Sequence, residues 1–65
     1  MQINTFSDAV LAISKSIDER DFGLLGHVEE RVAQWLQTGD EAAALFALIA
    51  SAYTAIEALE ELDNQ

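Results

Sequence analysis

A chain of 65 residues with no cysteine and one histidine makes one small domain at most, and neither a disulfide framework nor a thiolate or His-rich metal clip can reinforce it. Twelve acids against three bases give a net charge of −9, which excludes the clustered Lys and Arg that phosphate backbones and anionic membranes demand. With 51% hydrophobic residues the composition is still that of a folded protein, and a core this small is expected to draw further stability from a second polypeptide.

The first element opens at "NTFSD". Thr5 followed three residues later by Asp8 is a capping box with the shorter acid in place of glutamate. Phe6, Val10, Ile13 and Ile17 then recur at 4-3-4 spacing, which predicts an amphipathic helix over residues 5–19 with those four as its core stripe. Ser7, Ser14, Lys15 and Asp18 fall largely off the stripe.

Asp21 is placed to cap a second helix, in which Leu25, Val28, Val32 and Trp35 repeat at 3-4-3 and Leu24 and Leu36 widen the face. Gly23 and Gly26 sit in its first turns, where each costs about 1 kcal/mol against alanine. They admit two readings, a frayed start or the close approach of a neighbouring helix. Gly39, just past Gln37 and Thr38, reads as the left-handed stop.

Asp40 is then expected to cap the third helix, with Glu41 in its first turn. From Ala42 to Ala50 no side chain is polar. Leu45, Ile49, Ala52, Ile56 and Leu59 make one heptad-like seam, and Phe46, Leu48, Tyr53 and Leu62 spread apolar character well beyond it. At about 1.5 Å per residue this helix runs roughly 33 Å, against about 22–24 Å for each of the others. Both length and breadth exceed what two shorter helices can cover. The surplus is assigned to a partner protein, with Leu45, Phe46, Ile49, Tyr53 and Ile56 as the apolar contact and Glu57 and Glu60 as its acidic margin. Glu57, Glu60, Glu61 and Asp63 crowd the end where the helix dipole is already negative, so they form either a solvated tail or a patch that meets basic residues.

Chemistry is sparse. His27 lies at the edge of the apolar face of the second helix beside Glu29 and Glu30, and it reads as a polar boundary residue. There is no nucleophile-elbow serine, no Glu-x-x-His pairing and no Gly-rich phosphate loop, so no enzyme, cofactor, metal or small-molecule substrate is expected. Trp35 reads as core; Tyr53 needs a wet or hydrogen-bonded hydroxyl and reads equally as core or contact. The first fourteen residues carry no Lys or Arg and no unbroken apolar run, and the Ala42–Ile56 stretch reads as too short and too alanine-rich to cross a bilayer, so a cytoplasmic protein is expected.

The pattern Tyr53-x-Ala55-Ile56-Glu57-Ala58-x-Glu60, following Gly39, resembles the small helical co-chaperones of type III secretion needle subunits over roughly Val32 to Leu62. That resemblance implies a helical hairpin whose apolar face docks on a helical-repeat chaperone, the pair keeping a self-polymerising needle protein soluble. With three basic residues the chain carries far fewer than the family. The expectation is therefore a single all-α domain over residues 1–65, a hairpin of the second and third helices with an additional N-terminal helix. Its expected role is as a non-enzymatic interaction module in a hetero-oligomer. The alternatives are a homodimeric helical bundle and, further off, an acidic mimic of nucleic acid.

Overall fold

A computed structural model of the chain describes residues 2–36, 39 and 41–64. Three helices follow one another: α1 (Phe6–Glu19), α2 (Phe22–Trp35) and α3 (Glu41–Asp63). The second and third form the expected hairpin, and α1 packs against both. Arg20, at the end of α1, reaches Asp63 at the end of α3 (Nε to Oδ2, 3.0 Å), so these two helices run parallel and α2 runs against them.

The starts of α1 and α2 are written in the sequence. The Thr5 hydroxyl accepts from the Asp8 backbone N–H at 3.1 Å, and the Asp8 carboxylate accepts in return from the backbone N–H groups of Thr5 (3.1 Å) and Asn4 (3.0 Å). Thr5→Ala, which removes one arm of the box, is expected to lower stability by about 1 kcal/mol in urea unfolding. The Asn4 N–H is the main reason the Asp8 carboxyl lies below its ordinary value of 3.8, with partial desolvation opposing it and Thr5 adding to it. Because the folded value is depressed, this contribution is present above the unfolded-state pKa and is lost as pH falls through the lowered one. At α2, the Asp21 carboxylate accepts from the Leu24 N–H at 3.0 Å.

The stops follow different logic. α1 closes at Arg20, which takes up the left-handed conformation (φ 52°). The Arg20 N–H bonds to the Ile17 carbonyl at 3.2 Å and the Asp21 N–H to the Ser16 carbonyl at 2.9 Å, the paired bonds of a Schellman motif. α2 ends at Trp35, with Leu36 still right-handed and its N–H bonded to the Ala33 carbonyl at 3.3 Å. Gly39 is therefore not what stops this helix. The cap expected at Asp40 lies outside the described residues.

The core is one cluster fed by every helix. From α2 come Leu25, Val28 and Val32, all fully buried, with Trp35 half-buried beside them, as the spacing predicts. From α3 come Ala42, Leu45, Ile49, Ala52 and Ile56. α1 departs from expectation: its buried face is Ala9, Ala12, Ile13 and Ser16, a row of mostly small side chains. Val10 and Ile17 are only half-buried and Phe6 is 40% exposed, so the predicted stripe is rotated to one edge of the helix. Small side chains let helix axes come closer than bulky ones, and that close contact fixes which side of α1 is turned inward. Ser16 survives there because its hydroxyl donates to the Ala12 carbonyl of its own helix at 2.7 Å. Ile3, ahead of α1, closes the cluster at 2% exposure, and the Arg31 Nε–H donates to its carbonyl at 2.9 Å.

Gly26 is not held to glycine by the close approach of a neighbouring helix backbone. A Cβ built there would meet the Tyr53 hydroxyl at 3.8 Å, an ordinary contact with room to spare. Gly26→Ala is therefore expected to stabilise α2 by about 0.5–1 kcal/mol, read as a higher denaturant midpoint. At Gly23 the same Cβ would stand 3.3 Å from the Asp21 Oδ1 that caps the helix, so no comparable gain is expected there.

Candidate protein-binding face

α3 is apolar on almost every side, and the bundle uses only part of it. At 3.6 residues per turn its side chains sort into flanks around the core row. One flank carries Phe46 and Tyr53, both half-buried. It faces α2, because the Tyr53 ring stacks on Phe22 with centroids 5.9 Å apart and planes at 15°. Burial pushes the Tyr53 phenol above its ordinary value of 10.0, and the negative charge of Glu29 adds to the shift.

The opposite flank carries Leu48, Ala55 and Leu59 and so lies on the α1 side. Two right-handed helices running parallel, with α2 on the Tyr53 side of α3, turn the Phe6, Val10 and Ile17 edge of α1 toward this same flank. The seam between α1 and α3 is thus lined with apolar side chains that the chain does not finish covering: Leu48 is 44% and Phe6 40% exposed, with Val10, Ile17, Ala55 and Leu59 half-buried. Past the seam, the side of α3 turned away from the bundle presents Ala43, Ala47, Ser51, Thr54 and Ala58, all exposed and all small.

The expected contact residues separate accordingly. Leu45 (0%), Ile49 (1%) and Ile56 (0%) are interior to the single chain, and a side chain with no exposed surface has none to give a partner while the bundle is closed. Phe46 and Tyr53 are turned to α2. Glu57 and Glu60 are exposed. Surplus apolar surface exists, but it is centred on Leu48 and on the edge of α1, not on the heptad seam. The signal that locates it is the displaced stripe of α1, which becomes visible only once the buried row Ala9, Ala12, Ser16 is known.

Every basic side chain is already engaged. Lys15 lies 3.8 Å from Glu19, Arg20 holds Asp63, and Arg31 donates to Ile3 and, through Nη1, to Gln34 at 2.9 Å. Because α1 and α3 are parallel, their C-terminal turns share one end of the bundle. Asp18, Glu19, Glu57, Glu60, Glu61 and Asp63 gather there around two negative dipole ends. His27 is exposed and lines a shallow open groove of about 480 Å³ between residues 2–4 and α2, along with Glu30, Arg31 and Gln34. Among the described residues no group of three or more His, Asp or Glu side chains is placed to hold a metal ion.

The whole of α3 is longer than the Ala42–Ile56 stretch, and the core helix of a small bundle can reach the length and hydropathy of a membrane span. α3 has 23 residues, and its best 18-residue window has a mean hydropathy of 1.7, long and apolar enough by length and composition to cross a membrane. Only 28% of that window is buried in the bundle.

No protein-family model matches the chain, and no curated protein or solved structure is significantly similar to it.

Proposed function

We propose that this protein is a non-enzymatic interaction module that receives a helix of a partner protein along the α1–α3 seam. The observation that carries the proposal is the seam itself, where Leu48 and Phe6 stand 44% and 40% exposed beside a core whose residues are closed to within 5%. Amphipathic helices are recognised by laying their apolar face into such a groove. A face limited by the 14 residues of α1, about 21 Å long and two helices wide, offers on the order of 400 Å², room for a short docked helix and well short of the ~800 Å² per partner of a standard interface. A chaperone-type subunit, the role implied by the resemblance of the third helix to needle co-chaperones, is one form this module can take. The test is affinity capture from the source cells with the wild type and with Leu48→Glu. Leu48 is exposed enough that the variant is expected to keep its helical circular dichroism and to lose no more than about 1 kcal/mol of stability. A partner held by the wild type should be missing from the variant; an identical retained set would refute the seam as the docking face.

A further inference from the structure

The flank of α3 turned to α2 holds an arrangement of a different kind. Tyr53 and Glu57 share it, one helical turn apart, and the backward tilt of helical side chains leans Glu57 toward the Tyr53 ring. Facing them from α2 are Phe22, whose ring stacks on Tyr53, and Gly26, which lies beside the Tyr53 hydroxyl. Glu29 follows one turn after Gly26, and its negative charge adds to the effect of burial on the Tyr53 phenol. We infer that this cluster is a site for an arginine side chain of another protein, its guanidinium laid against the Phe22–Tyr53 pair within reach of the Glu29 and Glu57 carboxylates. The site lies on the opposite flank of α3 from the α1–α3 seam and stands or falls without it.

The occupant is read from what the cluster has and what the chain does not bring to it. The ring pair is not sealed, since Phe22 is 36% exposed and Tyr53 half-buried, so aromatic surface remains in water. Glu29 and Glu57 come from different helices, are both exposed, and make no ion pair among the described residues. No base of the chain is turned to them. Lys15 lies against Glu19, Arg20 holds Asp63, and Arg31 donates to Ile3 and Gln34 on the far side of α2. A second copy therefore has no unengaged guanidinium to offer, and it would add its own excess of acids. Carboxylates beside aromatic faces complement a cation. A guanidinium suits the pair better than an ammonium does: it is planar, stacks on rings, and carries its donors in a rigid fork that can serve more than one acid.

The probes are a short glycine–serine peptide with one central arginine, and the same peptide with lysine or neutral citrulline in its place. Each is titrated into the full chain and followed by NMR of the Tyr53 and Phe22 ring protons. The arginine peptide should move those protons and bind at least about tenfold more tightly than the citrulline peptide and about threefold more tightly than the lysine one. Glu29→Gln with Glu57→Gln should weaken it by about tenfold. Asp18→Asn with Glu30→Gln, which changes the net charge equally but away from the rings, should leave it within about twofold, because salt screens such distant charges. Leu48→Glu, on the seam, should also leave it within about twofold.

Equal binding of the citrulline or lysine peptide would overturn the arginine site. So would equal loss in the two double variants, which would mean general attraction to an acid-rich chain. Ring protons that no peptide moves, or that shift with protein concentration alone, would overturn it as well, the latter by giving the flank to a second copy. Loss of binding in Leu48→Glu would deny that the flank is a site of its own, while leaving the docking of a partner on the seam to its own capture experiment.

Discussion

Leu45→Ala is expected to leave much of the protein unfolded at room temperature. The side chain is fully buried on the core row of α3. Removing the equivalent atoms from a packed core costs about 2–5 kcal/mol, the lost transfer energy plus the cavity left behind. A single core in a chain of this size rarely supplies more than about 3–5 kcal/mol in total, so one truncation consumes most of it. Urea titration of the helical circular dichroism is the measurement, and the variant should start its transition near zero denaturant. Leu48→Ala, one turn away on the exposed flank, should cost less than about 1 kcal/mol. If the two variants lose equal stability, α3 is not rotated as described, and the seam loses its leucine.

The second large effect separates the structure from the sequence pattern. Ala12 lies off the Phe6–Val10–Ile13–Ile17 stripe, so a reading of spacing alone makes Ala12→Leu harmless or even helpful to the helix. The structure makes it a collision, because Ala12 is fully buried in the small-residue row of α1 that faces the other helices. Extra methylenes in such a contact cost about 1–3 kcal/mol through displaced backbones and poor rotamers. The expected result is a melting temperature lowered by many degrees, measured by circular dichroism beside Ser14→Leu, an exposed control on the same helix. An unchanged melting temperature for Ala12→Leu would place the predicted stripe back in the core.

These two variants mark where the sequence is informative. The core of α2 was legible because its residues are large: Leu25, Val28 and Val32 repeat at helical spacing and are buried. α3 was legible as a helix for the same reason, but its large residues Leu45, Ile49 and Ile56, assigned to a partner on their breadth, close the chain's own core. The capping box at Thr5 and the cap at Asp21 were legible because side-chain caps depend on residue type and local spacing. The inward face of α1 was not, since alanine and serine carry almost no periodic signal, while the bulkier residues that do carry it lie along the edge. Nor did any residue type announce the left-handed Arg20, a conformation that glycine takes far more readily. Ile3 was hidden for a simpler reason, being one apolar residue among polar neighbours with no period to belong to.

The candidate site was half legible. Excess apolar surface on the third helix follows from composition alone, but its address depends on which flanks α1 and α2 leave uncovered. Ile56→Asp, a natural choice if Ile56 were a contact residue, would place a charge in the closed core and report on folding, whereas Leu48→Glu reports on docking.

The parallel course of α1 and α3 has a kinetic consequence. The molecule is an elongated body of 43 × 21 × 15 Å with much of its negative charge gathered at one tip. In dilute buffer such a particle behaves as an electric dipole, rotating in the field of an approaching cation so that first encounters are tip-first. At physiological ionic strength that field reaches only about 8 Å, so the steering acts in the last steps of approach and capture slows as the medium becomes saltier.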